Sequence, residues 1–348
     1  MVAVESKIPA ADAIAGPRGK PPAAWRQFVE PVEPFLDAVS QCLLQQVTAF
    51  DPALAGYAEY TLSGNGKQLR PALVALAAHV LGTPNANHVT VAAIIEMVHL
   101  ATLVHDDVMD EAELRRGKLT VAANWGNEIA VLFGDCLFAH ALTLAAGFPT
   151  PEVCRAVASA TNTVCSGEIM QTRHRRNFAL SQKEYFRVLE MKTAELFGLS
   201  CDLAALLAEA PPPHRAALRG FGMAFGTAYQ IYDDCVDLFG SEAEAGKSLG
   251  TDLAKGKLTY PVLLAWERAD PDERAELETL VESWPPTAFG WIKQALRRHG
   301  TLKPTVDLIE RHLAQARLSL SLLPESNRQA GLLGAAEYLA QQTALLSE

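Results

Sequence analysis

Apolar residues recur at helical spacing through most of this chain. Val91, Ile94, Ile95 and Val98 follow i, i+3, i+4, i+7, which is one stripe of a 3.6-residue period. From Phe35 onward alanine and leucine dominate, and runs that alternate apolar with polar residues are nearly absent. Glycine and proline punctuate the pattern at 64–66, 82–84, 147–151, 211–213, 240–256, 285–286 and 300–304. The segments between these breaks run to about 15–30 residues, long for ordinary globular helices and suited to a large bundle. The pattern predicts an all-α fold, a single large helical bundle over 31–348, preceded by a mobile Pro- and Ala-rich tail at 1–30.

Charge is concentrated where the apolar stripe ends. Residues 96–120 read EMVHLATLVHDDVMDEAELRRGKLT, with Asp106, Asp107 and Asp110 followed by Arg115, Arg116 and Gly117. On a helix Asp106 and Asp110 lie one turn apart on one face, where a hard divalent cation would relieve their repulsion. The arginines suit diphosphate oxygens, because a guanidinium forks two donors onto an oxyanion. One acidic triplet is weak evidence, since solvated helix ends often carry one. The same spacing returns in Asp233, Asp234 and Asp237, within YQIYDDCVDLFG. Two such clusters, each entered from an apolar helix, predict facing carboxylates around the mouth of a central apolar cavity.

Composition narrows the functional classes. The 348 residues are 49% hydrophobic and 20% charged, enough for a sizeable core. A net charge of −10 argues against a broad nucleic-acid surface, so the basic residues act locally. Six cysteines, at 42, 136, 154, 165, 201 and 235, form no CxxC pair and read as buried thiols of a reducing compartment. With no signal peptide and no uninterrupted apolar run to span a bilayer, the expectation is a cytoplasmic protein without a transmembrane segment.

Other candidates are weaker one by one. Lys67 and Arg70 share a face at a helix start, where backbone donors favour anions, yet ordinary solvated charges read the same way. His99 fits a satisfied core histidine, and His105 either supports the aspartates or packs. The run Arg173, His174, Arg175, Arg176 reads as a solvated turn near the mouth. Lys192 is a phosphate-ligand candidate on an apolar face. Gly246, Lys247, Gly250, Asp252, Gly256 and Lys257 form a glycine-rich stretch able to close over a diphosphate as a lid.

Taken together these motifs resemble the trans-isoprenyl diphosphate synthases (polyprenyl synthetase family), of the long-chain type. The likeness runs from about residue 64 to 261 through GKxxRP, LVHDDVMDEAELRRG, GD, GEIMQ, KT, YQIYDDCVD and GKSLGTDLAKGKLTYP, in the family's order. The resemblance implies the isoprenoid synthase bundle. It also implies Mg²⁺-dependent condensation of isopentenyl diphosphate with an allylic prenyl diphosphate, through ionisation, condensation and elimination. Asp106, Asp110 and Asp233 are then the main metal ligands, with Asp107 and Asp237 also on the metal and Asp234 a ligand or a support. Arg115, Lys192, Thr193, Gln230 and Lys247 hold the allylic diphosphate; Lys67, Arg70, His99 and Arg116 hold isopentenyl diphosphate. Asp106, Asp110, Asp233, Lys192 and Lys247 carry the catalysis.

Gln68 stands where the family usually has a basic residue, and the chain ends TALLSE rather than in a basic clamp. Chain length follows from Val98, Ala101 and Thr102 on the helix behind Asp106, the latter two small where short-chain members place an aromatic. The product expected is longer than geranylgeranyl diphosphate, in a tunnel floored by Leu137, Phe138 and Ala141. A homodimer is a further family expectation. A class I terpene cyclase shares the fold but needs one diphosphate rather than two. A non-catalytic partner subunit would be expected to have lost aspartates.

Overall fold

The computed structural model describes residues 29–63, 66–115, 117–240, 249–324 and 327–346. In chain order its helices are α1 (Glu33–Gln46), α2 (Ala55–Leu62), α3 (Leu69–Leu81) and α4 (Ala86–Met109), then α5 (Val121–Trp125), α6 (Asn127–Ala146), α7 (Pro151–Arg173) and α8 (Gln182–Leu189). After these come α9 (Glu195–Leu207), α10 (Pro212–Phe239), α11 (Thr251–Ala254), α12 (Tyr260–Arg268), α13 (Pro271–Ser283), α14 (Ala288–Arg298), α15 (Leu302–Leu320) and α16 (Ala330–Ala344). Residues 1–28 of the expected tail lie outside the described residues, whereas Val29 is already buried in the core.

Local sequence accounts for the helix starts. Asn85 caps α4: its Oδ1 accepts from the Asn87 and His88 amides, and His88 Nδ1 accepts from the Asn85 amide. Ser181 and Glu184 form the same reciprocal box at α8. Proline occupies the first turn of α7, α10 and α13, where no amide donor is needed.

The apolar stripe on α4 behaves as its period predicts. Val91, Ile94, Ile95 and Val98 are all essentially inaccessible, and each such burial contributes about 1.5–3 kcal/mol. α4 packs chiefly along α6, and α10 along α9 and α15, so the C-terminal third completes the bundle as expected. α9 touches both α4 and α10 and thereby bridges the two acidic helices.

Two features depart from the sequence reading. Leu114–Arg115 and Lys118–Leu119 form a small antiparallel hairpin, β1 and β2, turned through Gly117 at φ +75. It follows the first acidic cluster directly and was not foreseen. In addition, α4 and α6 are each long and apolar enough to cross a membrane by length and composition. In α4 61% of the apolar window is buried inside the bundle, and in α6 33%. The expectation that no apolar run is long enough to span a bilayer is therefore corrected; burial in the bundle accounts for most of the window in α4 but for only 33% of it in α6.

Candidate active site

Between α8 and α9 the chain makes one wide turn, Glu190–Ala194, in which the Glu195 amide donates to the Glu190 carbonyl, five residues back. Such π turns are uncommon and concentrate at functional sites. This one presses on α7 and α10 together. Lys192 points one way, donating to Gln171 Oε1 at 2.7 Å, pairing closely with Glu168, and lying 3.5 Å from Asp106 Oδ2. Thr193 points the other way, donating to Gln230 Oε1 on α10 at 3.0 Å.

Lys257 links the first aspartate cluster to Asp252 across a gap. Its Nζ lies 2.5 Å from Asp110 Oδ2 and 3.9 Å from Asp252 Oδ1. Asp252 in turn donates its amide to Asp237 Oδ2 at 3.2 Å. Arg175 Nη2 holds the second oxygen of Asp110 at 3.0 Å. Burial alone would raise the Asp110 pKa, but Lys257, with Lys192 and Arg175 behind it, holds the carboxyl below its ordinary value. Glu168 is shifted the opposite way, by burial first and then by the charge of Asp106. For Lys192, burial disfavours the charged form, yet Asp106 and Glu168 together keep its pKa above the usual lysine value. A pocket with about 630 Å³ of atom-free space, open solvent at its mouth included, lies beside Lys192, Gln230, Asp234, Asp252 and Lys257. Tyr185, Val188, Leu189 and Leu258 supply its less polar wall.

The six aspartates of the clusters are not equivalent. Asp106 and Asp110 face the cations just described, and Asp233 is half-buried on the other helix. Asp107, expected on the metal, is 5% exposed and its Oδ1 accepts from Arg115 Nε and Nη2 at 2.8 and 2.7 Å. Asp237, also expected on the metal, is 1% exposed; Oδ1 accepts from the Thr251 hydroxyl at 2.9 Å and Oδ2 from the Asp252 amide. Both carboxylates are thus engaged by donors of neighbouring segments. Asp234 is fixed by Tyr185 Oη at 2.9 Å and Gln230 Nε2 at 2.8 Å. Burial, then the charge of Asp252, pushes the Asp234 carboxyl well above its usual range.

Among the described residues no three acidic, imidazole or thiol side chains converge closely enough to ligate an ion as they stand. The donor set nevertheless suits a hard cation. Asp106 and Asp110 present carboxylate oxygens on one helix face, and ammonium and guanidinium heads sit on those oxygens where a metal's positive charge would otherwise act.

The remaining candidates divide. Arg115 is placed at the cluster, but by its bond to Asp107. Arg70 stacks its guanidinium 4.6 Å over the Phe197 ring, Lys67 is exposed, and His99 is half-buried with its carbonyl accepting from the Thr102 hydroxyl. Gln68 adopts φ +47 and donates its side-chain amide to the Ser40 hydroxyl on α1. His105 turns to α6: Nε2 donates to the Val131 carbonyl at 3.0 Å and lies 3.5 Å from Asp135 Oδ1, and the ring sits against Gly134. Val98 and Ala101 are enclosed in the core with Leu137 and Ala141, while Thr102 and Phe138 are half-buried. Arg116 and Lys247 fall outside the described residues.

The sequence reading omitted Glu168, Gln171, Tyr185, Arg175 and Lys257 from the ligand set. The Arg173–Arg176 run is corrected in part: Arg175 reaches the site instead of standing in solvent. For Lys257 the signal was present in the glycine-rich stretch, and for Glu168 and Gln171 in the GEIMQ motif.

A site of paired carboxylates ringed by cations, opening on a pocket within a helical bundle, defines a class of diphosphate-handling enzymes. Comparison with known proteins gives the class its family. The polyprenyl synthetase profile matches residues 51–297. Octaprenyl diphosphate synthase of Escherichia coli is 32% identical over 305 residues, covering 87% of this chain and 94% of that one. A decaprenyl diphosphate synthase from Rhodobacter capsulatus superposes with a TM-score of 0.85 at 31% identity, over 93% of this chain and all of the other. A polyprenyl synthase from Caulobacter crescentus, solved with calcium and isoprenyl diphosphate, gives 0.84 at 31% identity, over 91% and 97%. The chain belongs to the polyprenyl synthetase family and is a prenyltransferase.

Proposed function

We propose that this enzyme adds isopentenyl diphosphate to an allylic diphosphate, with Mg²⁺ held by Asp106, Asp110 and Asp233. The observation that carries the reading is Lys257, one ammonium that meets Asp110 and approaches Asp252, so that two acidic residues 142 positions apart meet on a single positive charge. When bound, the metal supplies positive charge to the departing diphosphate. The chain's own residues do the rest. Lys192 and Lys257 bring fixed, largely buried cations to the same oxygens. Thr193 from the wide turn and Gln230 from α10 orient the head group. The isopentenyl double bond then attacks the ionised allylic carbon, and transfer of a proton to the released diphosphate restores an alkene. No covalent enzyme intermediate is required. Cys235, the thiol inside the second cluster, is buried and its pKa is driven far up, so it offers no thiolate.

Small side chains at Ala101 and Thr102 support a product longer than geranylgeranyl diphosphate. Relatives named for octaprenyl and decaprenyl products agree. Val131 and Leu132 leave an apolar face of α6 exposed, which supports a homodimer. Six free cysteines suit a cytoplasmic setting. Incubating the pure protein with MgCl₂, isopentenyl diphosphate and farnesyl diphosphate tests the reading directly. Products beyond C20 in the extracted lipids are expected. Cyclic hydrocarbon, simple hydrolysis or unreacted primer would overturn it.

A further inference from the structure

Arg175 sits on a turn that is built to present it. The neighbouring Arg176 adopts φ +59, and its amide donates to the Gly256 carbonyl at 2.8 Å. Gly256 itself has φ +74, and a Cβ there would lie 2.7 Å from Arg176 Cγ. The turns at 174–177 and 255–257 are thereby latched to each other. One carries Arg175 and the other Lys257, and both deliver their cations to Asp110.

Each oxygen of that carboxylate then has a cation of its own, Arg175 at 3.0 Å on Oδ1 and Lys257 at 2.5 Å on Oδ2. Lys257 shares its charge with Asp252 as well, whereas Asp110 is the acidic partner that Arg175 meets, so Asp110 turning to another cation would free the guanidinium for an anion. A second observation points the same way. Arg175 Nε is buried and donates to no acceptor, so on Asp110 this guanidinium uses one edge of its fork and leaves another N–H unmet. A diphosphate offers several oxygens in the geometry that a guanidinium engages through two parallel bonds.

We propose that Arg175 is a further ligand of the allylic diphosphate, which exchanges Asp110 Oδ1 for diphosphate oxygens as Asp110 turns to the metal. This inference rests on the prenyltransferase reading above. It gives the basic run after α7 a role in binding substrate, and it differs from a structural ion pair in what removal of the charge does. A residue that only held Asp110 in place would, when neutralised, alter binding of the metal and leave diphosphate affinity at saturating metal unchanged.

The test is calorimetric titration of inorganic pyrophosphate into the full chain at saturating MgCl₂, for wild type, Arg175→Gln and Arg175→Lys. Loss of a charge-assisted pair should weaken pyrophosphate by about tenfold or more in Arg175→Gln. Arg175→Lys should fall between, because an ammonium is a point donor rather than a fork. Thermal melting of each ligand-free variant shows whether it folds, and the lysine variant preserves the test if the glutamine variant does not. Equal affinity within about twofold in a folded variant overturns the assignment. If wild type elongates prenyl chains while Arg175→Gln binds pyrophosphate as tightly, Arg175 alone is misassigned. If wild type binds no pyrophosphate, the reading of the whole site falls with it.

Discussion

Gly167→Ala should damage catalysis more than folding. Gly167 on α7 lies directly over the wide turn, and a Cβ placed there would come within 2.7 Å of the Lys192 amide nitrogen and 2.9 Å of Met191 Cβ. Ordinary contacts need about 3.4 Å or more, so α7 and the turn must part by several tenths of an ångström. Backbone supplies the nearest atom, so no flexible side chain can simply move aside. Overpacking of this kind costs about 1–3 kcal/mol, and the helix propensity gained by alanine offsets up to about 1 kcal/mol. The net stability loss expected is therefore about 0–2 kcal/mol, readable as a shifted denaturation midpoint. Displacement of Lys192 from Asp106 and Glu168 is the larger effect, since small errors in the placement of a charged group can cost up to about 100-fold in rate. Steady-state prenyl transfer is the assay, with kcat expected to fall at least about tenfold. Gly290→Ala is the control: nothing lies within 4 Å of its Cβ, and α14 should be stabilised by up to about 1 kcal/mol with activity intact. A Gly167→Ala enzyme with unchanged kcat would show that the close approach of α7 does not position Lys192.

Further outcomes follow from the same geometry. Ala101→Phe should shorten the prenyl product, and because Ala101 is fully enclosed it should also cost about 1–3 kcal/mol; unaltered product length by mass spectrometry removes Ala101 from the tunnel. Tyr185→Phe strips one of two side-chain donors from buried Asp234 and should destabilise by about 1–3 kcal/mol in urea unfolding, while raising KM for the allylic substrate through Gln230; wild-type values of both would refute the linkage. His88 donates from Nε2 to the Ala204 carbonyl, and burial lowers its pKa below the ordinary 6.5. In the window below pH 6.5 the unfolded chain binds this proton more readily, so the stability from neutral His88 is present above that value and lost as pH falls. His88→Gln should show a shallower loss of unfolding free energy between pH 7 and 5.5, and an identical slope would exclude His88 as a source.

What could be read from the sequence was what is local. Both aspartate clusters and their order are continuous strings, and the α4 stripe needs only a period to be recognised. The division of labour within a cluster was not readable. Asp107 and Asp110 lie three positions apart, yet one is clamped by Arg115 and the other meets cations from elsewhere, because the helix directs them to different surroundings. Arg175 and Lys257 reach Asp110 from 65 and 147 residues away, a tertiary meeting that spacing does not encode. The wide turn at 190–194 leaves no mark in propensity either, since its residues would form an ordinary helix equally well. The hairpin after Asp110 is too short for an alternating pattern to register.

The extra residue at 190–194 acts as a phase shift along one rod. Were it deleted, the segment could close as a regular α-helix with its backbone bonding intact, while everything upstream rotated by about 100° against α9. Such a chain would still bury most of its core, but Lys192 and Thr193 could no longer address opposite walls of the chamber at once. The capacity to fold and the capacity to react are thus separable here by a single peptide unit. Insertions or deletions in this turn, more than substitutions, are where a sound scaffold could be left with an inert interior.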